Sequence, residues 1–483
     1  MLNRPHPSAM GRTRQRCSPT VRHLLIGLLW LCSWLGSWSG PGLRAEPAAA
    51  GAAATDPATD PAADAAKDAA TPATSIPTPE QLQLKDGWVS GQQVMRLPDW
   101  LALGVSFTAE PAANPIGGAT QQAAWIGQTV IALSAGRGLA RPNASWSELD
   151  HWSINTSLTH NSGNDLYSAD IGALLPLQQA AYPKGFLLSE VSLNRSSGDG
   201  WLGIKAGIVP LNPSFISAPI FDLYVHSAFN NTLNISINGM PINPYAALGG
   251  IVTVQPNPAL TLRYGWFDLN TTQPLAEWLG SLAPWLGTPS GTAQMLQVNW
   301  TPVGWSPPSG TPLSACRTAA GVVRRRPGCR HPVAVQNQLP AALLSFGGYT
   351  NSGESNGLYG SATLRSGLPI GLDERVWIGG AWTGDNSTTI TPNFLAAGLV
   401  VQGPLPSRPL DLLVLGAGRA GLNPTAISSW PSRHEAMVEL GYQLQLNANL
   451  NLQPTLQWIL NPSAAPQPVP SILAAILQLS LTF

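Results

Sequence analysis

The sequence predicts an all-β protein, a transmembrane antiparallel β-barrel preceded by a signal peptide and a disordered Ala/Pro-rich linker. Three observations predict it. The chain closes on an alternating strand, with Ala475, Leu477, Leu479, Leu481 and Phe483 on one face and Ile476, Gln478, Ser480 and Thr482 on the other, and a terminal aromatic on such a strand marks an outer-membrane barrel. The two segments before it alternate in the same way. Ala436, Val438, Leu440, Tyr442 and Leu444 face away from Glu435, Met437, Glu439, Gly441 and Gln443, and Leu450, Leu452, Leu456 and Trp458 face away from Asn451, Gln453, Thr455 and Gln457. One such segment fits a half-buried strand of a soluble sandwich, but three in succession ending the chain on Phe favour a lipid-facing wall.

In chain order, residues 1–45 read as a signal peptide. Arg4, Arg12, Arg14, Arg16 and Arg22 precede an apolar run from Leu24 to Leu35, and Leu43-Arg44-Ala45 offers a cleavage point after Ala45. The apolar run is shorter than the roughly 20 residues of a spanning helix, and no later segment replaces it. Leu31 before Cys32 is too bulky for a lipoprotein signal. The whole chain carries 25 basic and 25 acidic residues; with six basic and no acidic residues before Glu46, 19 basic and 25 acidic remain. That balance gives no reason to expect nucleic-acid binding. Residues 46–96 begin with a stretch dominated by Ala, Pro, Thr and Asp up to about Pro79, which buries too little apolar surface to offset the entropy of ordering. This is a flexible periplasmic linker, either a plain spacer or a contact with the cell wall.

From Leu97 to Phe483, short alternating runs are separated by Gly, Pro, Asn and Ser turns, with Trp and Tyr near run ends as in an interfacial girdle. Trp152, Ile154 and Leu158 oppose Ser153, Asn155, Ser157 and Thr159. Leu260, Leu262, Tyr264 and Trp266 oppose Thr261, Arg263 and Gly265, and Leu296, Val298 and Trp300 oppose Gln297 and Asn299. The remaining length, about 385 residues, fits roughly 16 to 18 strands around an aqueous channel. Only 10% of residues are charged, yet mean hydropathy is just +0.05, because a barrel follows each oily residue with a polar one. No heptad, dinucleotide-binding, phosphate-loop or solenoid pattern is present. Once the signal is removed, Cys316 and Cys329 remain as a disulfide candidate. His331 nearby lacks companions at metal-ligand spacing, so neither a metal nor another cofactor is expected.

A diffusion channel needs a polar wall, a field across its constriction and, for sugars, aromatic faces. Parity nominates its lining. With Val191, Leu193 and Ile204 turned to lipid, Glu190, Asn194, Trp201 and Lys205 turn inward; so do Arg263, Arg375, Trp377, Glu435 and Glu439 by their own alternations. A charge facing mid-membrane lipid would cost a few kcal/mol. Each of these residues also fits a solvated wall position or a rim salt bridge, and the two tryptophans fit the girdle. The Arg324-Arg325-Arg326 cluster reads as a solvated loop, with anion attraction at the pore mouth or lipopolysaccharide phosphates as alternatives.

Several motifs follow one another along the chain: Asn114-Pro115-Ile116-Gly117-Gly118 with Trp125-Ile126-Gly127-Gln128; His160-Asn161-Ser162-Gly163; Ser189-Glu190; Gly203-Ile204-Lys205-Ala206-Gly207 with Leu211-Asn212-Pro213-Ser214-Phe215; Ser227-Ala228-Phe229; Tyr245-Ala246-Ala247-Leu248-Gly249; Tyr264-Gly265-Trp266-Phe267-Asp268; and Leu452-Gln453-Pro454-Thr455-Leu456-Gln457-Trp458 with Asn461-Pro462. In this order, over essentially Leu97 to Phe483, they resemble the carbohydrate-selective porin family (OprB type). The resemblance implies about sixteen strands, a homotrimer in the outer membrane of a Gram-negative or cyanobacterial cell, and passive diffusion of sugars and other small hydrophilic solutes. Ile208 and Pro210 stand where the family carries a basic and then an acidic residue, and Ser214 where it carries an acidic one. Ser306 to Pro340 looks like an insertion. The missing charges leave a general or ion-conducting porin as the alternative. A structural protein tethering membrane to wall through the linker is a second. An outer-membrane enzyme is a third, although no catalytic spacing surrounds His151 or His160.

Overall fold

A β-strand in lipid must hydrogen-bond every backbone group to a neighbour, and only closure removes the two unpaired edges. The computed structural model meets that condition with sixteen antiparallel strands in one closed barrel, each paired with its sequence neighbours and β1 with β16. The structure describes residues 101–482 except 137–151, 167–170, 182–183, 198–200, 213, 231–239, 243, 279–289, 303–341, 353–354, 366–372, 385–388, 406, 409, 424–431, 447–449 and 466. The expected signal peptide, linker and terminal Phe483, together with Cys316, Cys329 and the Arg324–Arg326 cluster, lie outside the described residues.

The strands are β1 (Leu101–Ile116), β2 (Ala123–Gly136), β3 (Trp152–Asn164), β4 (Gly185–Ser196), β5 (Leu202–Val209), β6 (Ala247–Asn257), β7 (Leu260–Asp268) and β8 (Thr292–Trp300). They continue with β9 (Ala342–Asn351), β10 (Ser355–Arg365), β11 (Asp373–Thr383), β12 (Asn393–Gln402), β13 (Leu412–Gly421), β14 (His434–Gln445), β15 (Leu450–Leu460) and β16 (Ile472–Thr482). Outward positions carry the apolar belt. Leu296, Phe346, Leu395, Leu440, Leu456 and Leu477 are exposed, as are Trp125, Trp152, Trp300, Trp382 and Trp458 near strand ends, where amphipathic rings sit at the bilayer interface.

Strict alternation fails in β4. Ser157 pairs with Glu190 and Leu158 with Leu188, leaving Ser189 as an extra residue. The bulge puts Ser189 and Glu190 on the same, inward side, so Leu187 is buried inside before it and Leu193 exposed outside after it. Thr482 pairs with Ser106 near the start of β1, so the chain enters and leaves the barrel at one rim. Connectors 165–184 and 210–246 leave the opposite rim, the side of long external loops. Connector 301–341 joins β8 to β9 at the rim that carries the two chain ends.

The core is unusual for a barrel in lying inside it. Leu177, Leu211, Phe215, Phe221, Tyr224 and Phe229 are fully buried and form one apolar cluster with inward residues of the wall, among them Trp377, Phe394, Val414, Met437, Ile459 and Ile476. The described residues of connectors 165–184 and 210–246 therefore fold into the lumen and pack on the wall from β6 round to β16. Each large aromatic buried this way contributes roughly 1.5–3 kcal/mol. Ser227 donates to the Pro176 carbonyl (backbone N–H, 3.2 Å), and Asn230 Nδ2 donates to Gln179 Oε1 (3.0 Å), joining the two connectors into one inward unit. A four-residue helix, α1 (Ser227–Asn230), lies within it. A second, α2 (Thr272–Trp278), follows β7.

Candidate functional site

The lumen has two unlike sides. On β1 and β14 to β16, inward carboxylates and amides bind the backbone of the inward unit. Glu435 accepts from the N–H groups of Leu174 (2.9 Å), Leu175 (3.0 Å) and Ser463 (2.9 Å). Glu439 accepts from Val225 N (2.9 Å), His226 N (2.6 Å) and Gln457 Nε2 (3.1 Å). Glu110 accepts from Ala180 N (3.1 Å) and Gln478 Nε2 (2.7 Å). Gln457 Nε2 also reaches the Leu177 carbonyl (2.9 Å), and Gln453 Nε2 the Leu223 carbonyl (3.0 Å). Backbone groups of a buried connector need partners, and these side chains supply them.

Next to this lies an aromatic node. Trp377 Nε1 donates to the Tyr224 hydroxyl (2.8 Å), which donates to the Leu415 carbonyl (3.0 Å). Phe221 and Tyr224 meet Trp377 edge-on at centroid distances of 5.1 and 5.5 Å. Wall glycines make the room. A Cβ on Gly398 would lie 2.4 Å from the Tyr224 hydroxyl, and one on Gly416 2.8 Å from Tyr224 Cε1. His226 Nδ1 accepts from Ala228 N at 3.0 Å, so its neutral ring caps the turn; burial lowers its pKa to about 3. Burial likewise pushes the Tyr224 phenol up, keeping it a donor.

On the facing side, β3 to β5 present polar residues, with Glu190, Asn194 and Lys205 partly exposed and Ser192 buried, whereas Ile251, Phe267 and Met295 on β6 to β8 are buried in the apolar cluster. Glu190 Oε1 pairs with Lys205 Nζ at 2.7 Å, both partly exposed. Ser192 hydrogen-bonds Glu190, and Asn194 Nδ2 donates to Ser192 Oγ (3.2 Å). Arg263 Nη1 donates to the Ser214 carbonyl (2.9 Å), tying the inward unit to this side. Asp222 is exposed on the inward unit.

The residues nominated from parity thus fall into separate groups. Glu190, Asn194 and Lys205 form one hydrogen-bonded row on β4 and β5. Arg263 stands apart on β7, against Ser214. Glu435, Glu439 and Trp377 point inward but are covered by the inward unit and hold it. Arg375 is buried near the chain-end rim, beside Arg365 of β10, and its Nη1 donates to the Glu374 carbonyl (3.2 Å). Trp201 lies half exposed (48%) just before β5. Sequence reasoning missed Glu110, Gln453, Gln457 and Tyr224. The available signals were the long β5–β6 connector with its aromatic run, and inward positions on the last strands that combine polar and bulky apolar side chains.

A model of the carbohydrate-selective porin, OprB family, matches residues 143–483. The high-pH structure of Pseudomonas putida OprB superposes with a TM-score of 0.63 at 17% identity, covering 81% of this chain and 96% of that one. The low-pH structure of the same protein gives 0.47 at 15% identity, over 83% and 100%. No curated protein sequence matches. The fold likeness at such low identity concerns the barrel, whereas the family match spans 71% of the residues and all but the first two strands. The chain belongs to the carbohydrate-selective OprB family of outer-membrane porins.

Proposed function

We propose that sugars and other small hydrophilic solutes cross this channel by passive diffusion along the side of the lumen bounded by β3 to β5. The carrying observation is the neutrality of that wall: its Glu190 and Lys205 charges cancel within one contact, leaving the partly exposed Asn194 amide to meet a polyhydroxylated neutral solute. Glu190, Asn194 and Lys205 are the lining residues of this reading; Arg263 stands apart on β7, against Ser214. Trp201 adds an aromatic face at the chain-end rim. No bond is made or broken, so the protein acts as a channel without catalysis. In the membrane we place a homotrimer, with lipopolysaccharide around its outer rim and residues 46–96 as a periplasmic spacer in reach of the wall.

Single-channel currents in planar bilayers, recorded with graded glucose, maltose and longer glucans, test the proposal. Concentration-dependent block by sugars is expected. Steady conductance without block would instead support the general or ion-conducting porin, a reading favoured by Ser214 standing where the family carries an acidic residue. Deleting residues 46–79 should leave conductance unchanged; an envelope defect in cells carrying that deletion would assign the linker a tethering role.

A further inference from the structure

We infer that Glu110, Glu435 and Glu439 are positioning residues that set the size cut-off of the channel by seating the inward unit against the wall. The inference rests on the channel reading. The three carboxylates come from two strands of one wall, Glu110 from β1 and Glu435 and Glu439 from inward positions on β14, and each reaches a different stretch of the unit: Ala180, then Leu174 and Leu175, then Val225 and His226. Their partners are all N–H donors, the pattern an ionised, acceptor-only carboxylate takes. Two of them grip consecutive backbone N–H groups with both oxygens, which fixes orientation as well as distance. The apolar contact between unit and wall is non-directional and tolerates sliding; the clamps do not.

The unit is also restrained from the lumen side, where Arg263 holds the Ser214 carbonyl and Gln297 Oε1 accepts from Ile216 N (2.9 Å) and the Tyr359 hydroxyl (3.0 Å). A clamp lost on the far wall therefore tilts the unit into the solute path instead of releasing it. Losing a hydrogen bond to a charged group shifts the ratio of displaced to seated unit by roughly tenfold to a hundredfold.

The test compares wild type with Glu439→Gln, Glu435→Gln and Glu110→Gln in liposome swelling with arabinose and raffinose and in single-channel recordings. Gln457→Leu provides a milder second variant, since it removes the Leu177 and Glu439 contacts while leaving the carboxylate. Heat-modifiable migration on gels checks that each barrel is closed. The expected result is a changed raffinose-to-arabinose rate ratio and added open-channel noise in closed barrels, with Gln457→Leu shifted in the same direction by less. A merely stabilising role would lower the unfolding temperature and leave the ratio and noise at wild-type values, which would overturn the inference. A wild-type protein that passes no solute would instead overturn the channel reading itself.

Discussion

Replacing Lys205 by Met tests whether the Glu190–Lys205 row borders the conducting path. The two charges are 2.7 Å apart, so an ion several ångströms away feels little net field. Removing the ammonium leaves one uncompensated carboxylate. An ion passing at about 5 Å then feels about 0.8 kcal/mol in a water-like medium, and about 0.5 kcal/mol once salt with a screening length of about 10 Å is included. That energy enriches cations and depletes anions about twofold each, close to a fivefold change in their ratio at thermal energy of about 0.6 kcal/mol. The assay is the zero-current potential across a tenfold KCl gradient. Lys205→Met should move it toward cation preference, Glu190→Gln toward anion preference, and the double variant back to wild type, because neither charge then remains. If both single variants keep the wild-type potential in folded barrels, the pair lies off the path and the proposed route along β3 to β5 is wrong.

Three further outcomes follow from the inward unit. Gly398→Val sets a side chain against the Tyr224 hydroxyl, 2.4 Å from the new Cβ, and should destabilise the protein by about 1–3 kcal/mol, read as a lower urea midpoint with the barrel still forming. Trp377→Phe leaves the ring contacts but removes the donor to Tyr224; with the Tyr224 hydroxyl still bound to Leu415, the expected loss is about 1 kcal/mol. His226 is buried neutral with a pKa lowered to about 3, whereas in the unfolded chain it takes a proton near pH 6.5. Its contribution is complete above pH 6.5 and declines as pH falls toward 3, by up to about 1.4 kcal/mol per pH unit. Unfolding free energies measured at pH 7 and pH 5 should therefore differ more for wild type than for His226→Phe; equal differences would show that the ring is reached by solvent.

The wall was legible in the sequence because its rule is local. Period-two alternation assigns the outward face of β14, β15 and β16 residue by residue, and Leu440, Leu456 and Leu477 are exposed there as that rule requires. It fails where the backbone adds a residue: nothing in Phe186-Leu187-Leu188-Ser189-Glu190 announces the bulge that reverses parity, because a bulge is fixed by pairing with Ser157 and Leu158 on another strand. The covered state of Glu435 and Glu439 was beyond reach for a similar reason. Parity tells which way a side chain points, and their partners on the inward unit lie more than two hundred residues away along the chain.

What a lumen residue meets, water or protein, can nevertheless be argued from its neighbours. Inward positions of β12 and β13 read Phe394, Ala396, Gly398, Val400 and Leu412, Val414, Gly416, Gly418, Ala420, so apart from polar residues near the strand ends, among them Gln402 and the outward Arg419, these strands are apolar on both faces. One face is accounted for by lipid; the other has no reason to be apolar beside a water-filled channel and must be covered by more of the chain. The inward positions of β3 read Ser153, Asn155, Ser157, Thr159 and Asn161, which suit water. An isolated glutamate beside a doubly apolar pair of strands, as Glu435 and Glu439 are on β14 next to β13, then has a determined fate. It cannot stay in such surroundings without donors, and the donors in abundance on a folded-in connector are its backbone N–H groups. By this reasoning the polar residues among β14 to β16 hold the constriction in place, and those on β3 to β5 are left to face what passes through it.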